Sequence, residues 1–334
     1  NYMSTINKTR RRLIKIVGVS AVGAIAGTAF VEFKDNTKLK KVTWNGTALG
    51  SQAEITIYHS DEREAQKILV NSVEKLTSLE NIFSIYRDNS QLSILNKNGY
   101  IENPHPEMVE LLNLSRKYSE ITNGAFDITV QPLWNIYNNS FTNKGKPPSD
   151  IEIRNALNLV DWKSINIEKN KISYTKKGMS STLNGIAQGY ITDKIAENLI
   201  NSGINNTLVQ LGEYRGIGAH PDGRPWRLLL SNPEHTDSIG EVEFTNASIA
   251  TSAGLGTPFD LSGKYHHIFN PKTGNNANKY LQVSVTSKTA AEADALATAF
   301  LIMDQKKSEN IAKDLKVGFE ILDSDRKRNI ITIL

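Results

Sequence analysis

Apolar and polar positions alternate over residues 53–59 (AEITIYH), the period-two pattern of a half-buried strand. Directly after it, Ser60-Asp61 offers a helix cap, and Ala65, Ile68, Leu69, Leu76, Leu79 and Phe83 recur at the spacing of a helix with one buried face. A second helical pattern over residues 106–122 stops at Asn123-Gly124, a left-handed C-terminal signal. A third covers 185–202 and is closed by Gly203, while 144–150 (KGKPPSD) reads as a loop. Short strand-like runs follow at 207–211, 227–231, 241–244, 248–251 and 282–286. A small-residue helix over 290–303, another over 308–315 and two terminal strands complete the pattern. Helices and strands come in runs and not in strict alternation, which predicts an α+β fold with helices packed on a mixed or antiparallel sheet.

The length of 334 residues and 39% apolar content suit one large globular body. No cysteine is present, which excludes disulfides, thiolate metal sites, thiol nucleophiles and lipid attached through sulfur. The formal charge of +4 is a local property. Lys8, Arg10, Arg11, Arg12 and Lys15 sit among residues 1–31 without one acid, and taking these five from +4 leaves −1 for the rest. The remainder has no basic, aromatic-interleaved stripe, so nucleic acid is not an expected partner.

Thr9-Arg10-Arg11-Arg12-Leu13-Ile14-Lys15 precedes an uncharged, Gly/Ala-rich run from Ile16 to Val31 and resembles the twin-arginine export signal. Ala24-Ile25-Ala26 offers a small-x-small cleavage site, and an uncleaved short anchor is the alternative. The expected organisation is an export segment over 1–31 read by the Tat translocon, a polar linker over 32–41, and a single domain over 42–334. Either form of the segment places that domain at the outer face of the cytoplasmic membrane or in the periplasm.

Phosphate-binding Walker A, GxGxxG, HExxH and GxSxG patterns are absent. Four polar, glycine-bearing segments carry the candidate chemistry. Asn184-Gly185-Ile186-Ala187-Gln188-Gly189-Tyr190 opens the third helix, where glycines let a ligand approach free amides that favour anions; an ordinary glycine-rich helix entry is the plainer reading. Asp294 and Thr298 are four residues apart, so a carboxylate and a hydroxyl share one helix face, both of the oxygen type Mg²⁺ prefers. The plainer reading has Asp294 favouring the first helical turn electrostatically while Thr298 bonds back to a carbonyl. Residues 265–274 (YHHIFNPKTG) read as a strand entering a turn, which puts His266 and His267 on opposite faces and leaves one as a candidate base or a structural histidine. Residues 124–134 (GAFDITVQPLW) read as a buried apolar turn after a helix.

Taken in order, these segments resemble the ApbE family of FAD:protein FMN transferases over nearly the whole span from Val42 to Leu334. Ser84-Ile85-Tyr86 through Asn96 is similar to SxYxxxSELSxLN, and 126–133 to FDxTVxPL. Leu183 to Asp193 is similar to LGGIAKGYAVD, and 208–226 to LVxxGGxxxxxGxxPDGxPW. HHIFNPKTG and EADALATA follow HHIIDPxTG and xADALSTA. The resemblance implies a single T-fold-like catalytic domain that binds FAD and transfers FMN to a threonine hydroxyl of an envelope flavoprotein, releasing AMP with Mg²⁺ bound. It implies FAD contacts at Leu49, Tyr86, Ala125, Phe126, Asp127, Thr182, Gln188, His267 and Ile268. It also implies metal ligation by Gly185 (through its carbonyl), Asp294 and Thr298, with His267 and Asp294 catalytic.

The chain departs from the family pattern at Thr182 and Asn270, where the family has Asp, and at Gln188, where it has Lys or Glu. It departs again at Thr251-Ser252-Ala253 in place of TSG and at Gly212-Glu213 in place of GG. Two further functions stay compatible with these changes: an FAD pyrophosphatase releasing FMN and AMP, and a non-catalytic exported FAD-binding maturation factor. The twin-arginine segment resembles the subgroup associated with nitrous-oxide respiration, whose acceptors are membrane flavoproteins.

Overall fold

The computed structural model describes residues 39–233 and 238–331. The export segment and most of the expected linker therefore lie outside the described residues; the first strand begins at Lys40, just inside that linker.

Eight strands form the main sheet, in the order β1-β2-β6-β7-β10-β11-β12-β13, and every neighbouring pair in it is antiparallel. In chain order these are β1 (Lys40–Ala48), β2 (Ser51–His59), β6 (Thr207–Gln210), β7 (Tyr214–Ile217), β10 (Ser248–Ala253), β11 (Tyr280–Ser287), β12 (Gly318–Asp323) and β13 (Arg328–Ile331). The short strands β3 (Tyr100–Glu102), β4 (Ile165–Ile167) and β5 (Lys171–Tyr174) make a separate small sheet, and β8 (Trp226–Ser231) pairs with β9 (Ser238–Phe244) as a hairpin.

Alternation along the strands supplies both faces of the sheet. Ile57, Val209 and Ala250 point into the main core, whereas their neighbours Tyr58, Leu208 and Ile249 pack with Trp226, Leu228, Leu230 and Phe244 of the β8–β9 hairpin. The core face is covered by three helices. α1 (Glu62–Phe83) lies on β1 and β2, α6 (Ala187–Asn201) on β6 and β7, and α7 (Ala290–Ile302) on β10 and β11. Asp61 caps α1 by accepting from the amides of Arg63 and Glu64. α2 (Gln91–Asn98) and α3 (Pro106–Ile121) extend the helical layer. α4 (Gln131–Lys144) and α5 (Asp150–Leu157) build a satellite cluster with Phe269. α8 (Gln305–Leu315) leads into the last two strands.

All six alanines of α7 are buried, and they let α6 come close enough for backbones to touch. A Cβ on Gly189 would lie 2.3 Å from the Ala290 carbonyl oxygen and 2.7 Å from the Ala291 nitrogen. Neither neighbour is a flexible side chain, so Gly189→Ala has to push the two helices apart. An overpacking cost of about 1–3 kcal/mol is expected, read as a lower melting temperature in calorimetry; an unchanged melting temperature would show that the two helices yield freely.

The pattern-based expectations meet three corrections. Residues 265–270 are not a strand. They form two isolated bridges, Pro258–His266 and Phe269–Asn276, because their backbone bonds go to loops, such as His267 N to the Thr257 carbonyl and Ala277 N to that of Ile268. Residues 128–134 are not a simple turn but a 3-10 turn running into α4. The third helix begins at Ala187, which leaves Gly185 in the turn before it.

Candidate functional site

A cavity of about 2440 Å³ opens where α6, α7, the β6–β7 turn, the end of β10 and the 125–128 and 265–270 segments converge. Every residue nominated from the sequence lines it. Leu49, Tyr86, Ala125, Phe126, Asp127, Thr182, Gly185, Gln188, His267, Ile268, Asp294 and Thr298 share this one space although they are scattered over almost 250 positions of the chain.

The inner pole is built around Asp294. It is not a first-turn surface residue: it sits one turn further into α7 and is 4% exposed. The amide of Gly189 donates to its Oδ2 at 3.1 Å, while the next amide, Tyr190, makes the ordinary helical bond to the Ile186 carbonyl. Consequently no amide among the described residues donates to the Gly185 carbonyl. Thr298, one turn along the same face, meets Ser252 of β10 with 3.2 Å between hydroxyl oxygens instead of bonding back along its helix. A Cβ at Gly185 would stand 3.0 Å from Thr298 Oγ1 and 3.4 Å from the Phe126 ring, so glycine lets the backbone at 185 approach that hydroxyl.

Sequence reasoning set Glu213 aside as a departure, yet it belongs to this pole. It is 7% exposed, lines the same cavity, and accepts from the Thr251 amide at 3.2 Å. Burial pushes the carboxyls of Asp294 and Glu213 upward, and the charge of Asp294 adds to the rise at Glu213. The nearby Arg215 is committed to Asp193, which also accepts from the Ala290 and Ala291 amides at the start of α7. Two buried carboxyls, two hydroxyls and an unclaimed carbonyl make an oxygen-only donor set, and among the described residues no salt bridge reaches either carboxyl. That set fits a hard divalent cation.

The walls are more mixed. Asp127 is consumed locally: its carboxylate accepts from Thr129 N and Oγ1 at 2.8 and 2.6 Å and from Trp162 N at 3.2 Å. Burial still raises it to about 6. Its role is to hold the turn that presents Ala125 and Phe126. Thr182 is fixed by its amide to the Ile128 carbonyl at 2.8 Å, and its hydroxyl accepts from Asn184 N at 3.3 Å.

Gln188 donates to Ser51 Oγ at 2.7 Å and covers Gly212, where φ is +101° and a Cβ would lie 2.6 Å from the Gln188 amide group. Leu49 and Gly50 form the two-residue β1–β2 turn, both with positive φ (46° and 87°), and Glu80 accepts the Leu49 amide. Tyr86 is 64% exposed at the rim, and its hydroxyl accepts from the side-chain amide of Asn184.

His266 and His267 do part company. His266 is buried, with Nε2 within hydrogen-bond distance of the Ala277 carbonyl and of Asn278 Oδ1. His267 lines the cavity, and its buried Nδ1 has no hydrogen-bond partner among the described residues. Burial, with the neighbouring His266 adding to it, pushes His267 down to about 4, so its imidazole is neutral at physiological pH.

The chain and its fold have counterparts among known proteins. The FAD:protein FMN transferase of Vibrio cholerae is 29% identical over 286 residues, 82% of this chain and 85% of its own. The Haemophilus influenzae protein of that name is 25% identical over 295 residues, 82% of this chain and 84% of its own. Among solved structures, the flavin transferase ApbE from Vibrio cholerae superposes with a TM-score of 0.75 at 25% identity, over 88% of this chain and 97% of that one. The Thermotoga maritima ApbE protein gives 0.78 at 26% identity, over 87% and 97%. The pattern that defines the ApbE family matches residues 49–322, from the Leu49 turn to the end of β12, and on that span the chain belongs to the ApbE family.

Proposed function

We propose that this chain is a flavin transferase that moves FMN from FAD to a threonine hydroxyl of a partner flavoprotein and releases AMP. The observation that carries the reading is the convergence of the oxygen-donor pole, a neutral histidine and an aromatic rim on a single cavity. That cavity exceeds the roughly 300–1,000 Å³ of an ordinary small-ligand site, leaving room for a dinucleotide and an acceptor segment together.

In the step proposed, the threonine Oγ attacks the phosphorus on the riboflavin side of the pyrophosphate. The bond from that phosphorus to the bridging oxygen breaks, and AMP leaves carrying that oxygen. His267 takes the hydroxyl proton, for which a free imidazole is the right form. The Gly185 carbonyl, Asp294 and Thr298 are the groups that would hold Mg²⁺, which when bound neutralises pyrophosphate charge. Phe126 and Ile268 line the cavity as apolar surface on which a flavin nucleotide would pack, and Tyr86 offers an aromatic face at the mouth. The Thr9–Lys15 motif supports work on the outer side of the cytoplasmic membrane after passage through the twin-arginine translocon. Among the described residues no helix is long and apolar enough to cross a membrane.

Calorimetry with FAD, FMN and riboflavin, each with and without Mg²⁺, tests the binding half of this reading. FAD is expected to bind tightest, with an affinity that rises when Mg²⁺ is added, because the donor pole addresses the pyrophosphate. Equal affinities for FAD and riboflavin, or no metal effect, would contradict it.

A further inference from the structure

Glu213 sits in the β6–β7 turn, where Gly212 with φ of +101° reverses the chain and the Leu211 amide donates to the Glu213 carbonyl at 3.0 Å. The turn aims the side chain inward: the residue is 7% exposed and yet lines the cavity. Its Oε2 accepts from the Thr251 amide at 3.2 Å. Thr251 precedes Ser252, whose hydroxyl meets Thr298, so one strand ties Glu213 to the donor pole. Burying a carboxylate beside another with no cation is costly, and such a pair persists where a ligand supplies the missing positive charge.

We propose that Glu213 is a further ligand of the divalent-cation site, joining Asp294 as a second carboxylate directly or through one bound water. This rests on the metal-dependent reading of the cavity, not on the identity of the acceptor. Two carboxylates with hydroxyl and carbonyl oxygens make a harder, more anionic site than one carboxylate alone, which favours Mg²⁺ or Mn²⁺ over softer ions. They also give the chain a means to hold the ion before any pyrophosphate arrives. The Gly212-Glu213 pair, a departure from the family pattern, is then a device for metal retention.

The test is Mn²⁺ and Mg²⁺ binding to the full chain without FAD or acceptor, followed by calorimetry and by the Mn²⁺ electron paramagnetic resonance signal. Glu213→Gln keeps the acceptor for the Thr251 amide and removes the charge. Affinity is expected to fall about 10–100-fold, the range seen when a group supporting a metal is lost. The melting temperature without metal should hold or rise, while the increment produced by Mg²⁺ should shrink. A Glu213 that serves packing alone would lower the melting temperature with and without metal and leave Mn²⁺ affinity unchanged, and that result overturns the proposal. FMN transfer does not enter this readout, so a chain that binds metal through Glu213 but transfers no flavin would refute the transferase reading and leave this one standing.

Discussion

Asp294→Asn is expected to lower FMN transfer by about 10²–10³, the usual consequence of losing one key electrostatic stabiliser. The substitution preserves shape, and its carboxamide oxygen still accepts the Gly189 amide, so the α6–α7 contact survives. Stability should move the opposite way. Burial raises the Asp294 carboxyl above its unfolded value, so the folded protein holds that proton more tightly than the unfolded chain. Its ionised form therefore weakens the metal-free fold, and the loss grows as pH rises from about 4 toward neutrality. Metal-free Asp294→Asn should melt at or above the wild type at pH 8, and the two should converge at pH 4. Wild-type transfer rates in this variant would place the chemistry elsewhere in the cavity.

His267→Ala is expected to slow transfer by about 10²–10⁴, the contribution of a positioned general base. Its Mg²⁺ affinity should be unchanged, because the imidazole is not among the oxygen donors. The pH profile of single-turnover transfer gives a sharper reading. With His267 held down to about 4, the base is already free at neutral pH. The acid limb assigned to it should fall near pH 4, well below the roughly 6.5 of an ordinary imidazole, and should vanish in the variant. An acid limb near 6.5 that persists in His267→Ala would assign the proton transfer to another group.

Much of the fold could be read from periodicity because its main elements are strongly patterned. Residues 53–59 alternate cleanly and form β2, and the apolar spacing after Asp61 becomes α1. Only Lys40 and Lys41 of β1 fall in the expected linker; the rest of the strand gave little signal because its buried positions are few, and it is an edge strand paired on one side alone. The α4 helix was missed because its polar run (NIYNNSFTNK) has a weak apolar stripe, and tertiary packing of Leu133 and Tyr137 against Phe269 overrides it. The 265–270 segment carries strand-like residues, but its neighbours are loops, so the local preference had no partner to pair with.

The site was legible as motifs and not as geometry. Asp294 and Thr298 share a helix face as their spacing requires, but nothing local told that α7 would be buried on all sides. A helix in which nearly every other residue is alanine was the available clue. Glu213 could not be found by spacing, since its partners Thr251 and Asp294 lie 38 and 81 positions away. The bond from Gly189 to Asp294, which frees the Gly185 carbonyl, spans 105 positions and depends on the close approach of α6 and α7.

The decisive expectation is that phosphoryl transfer ends on a protein hydroxyl. It is tested most directly by intact-mass analysis of an acceptor domain incubated with this chain, FAD and Mg²⁺, beside the same domain with its acceptor threonine changed to valine. The threonine form is expected to gain the mass of one FMN ester, with one AMP released per acceptor, and the valine form to gain nothing. Free FMN and AMP accumulating while both forms keep their original mass would contradict it and identify the chain as an FAD pyrophosphatase.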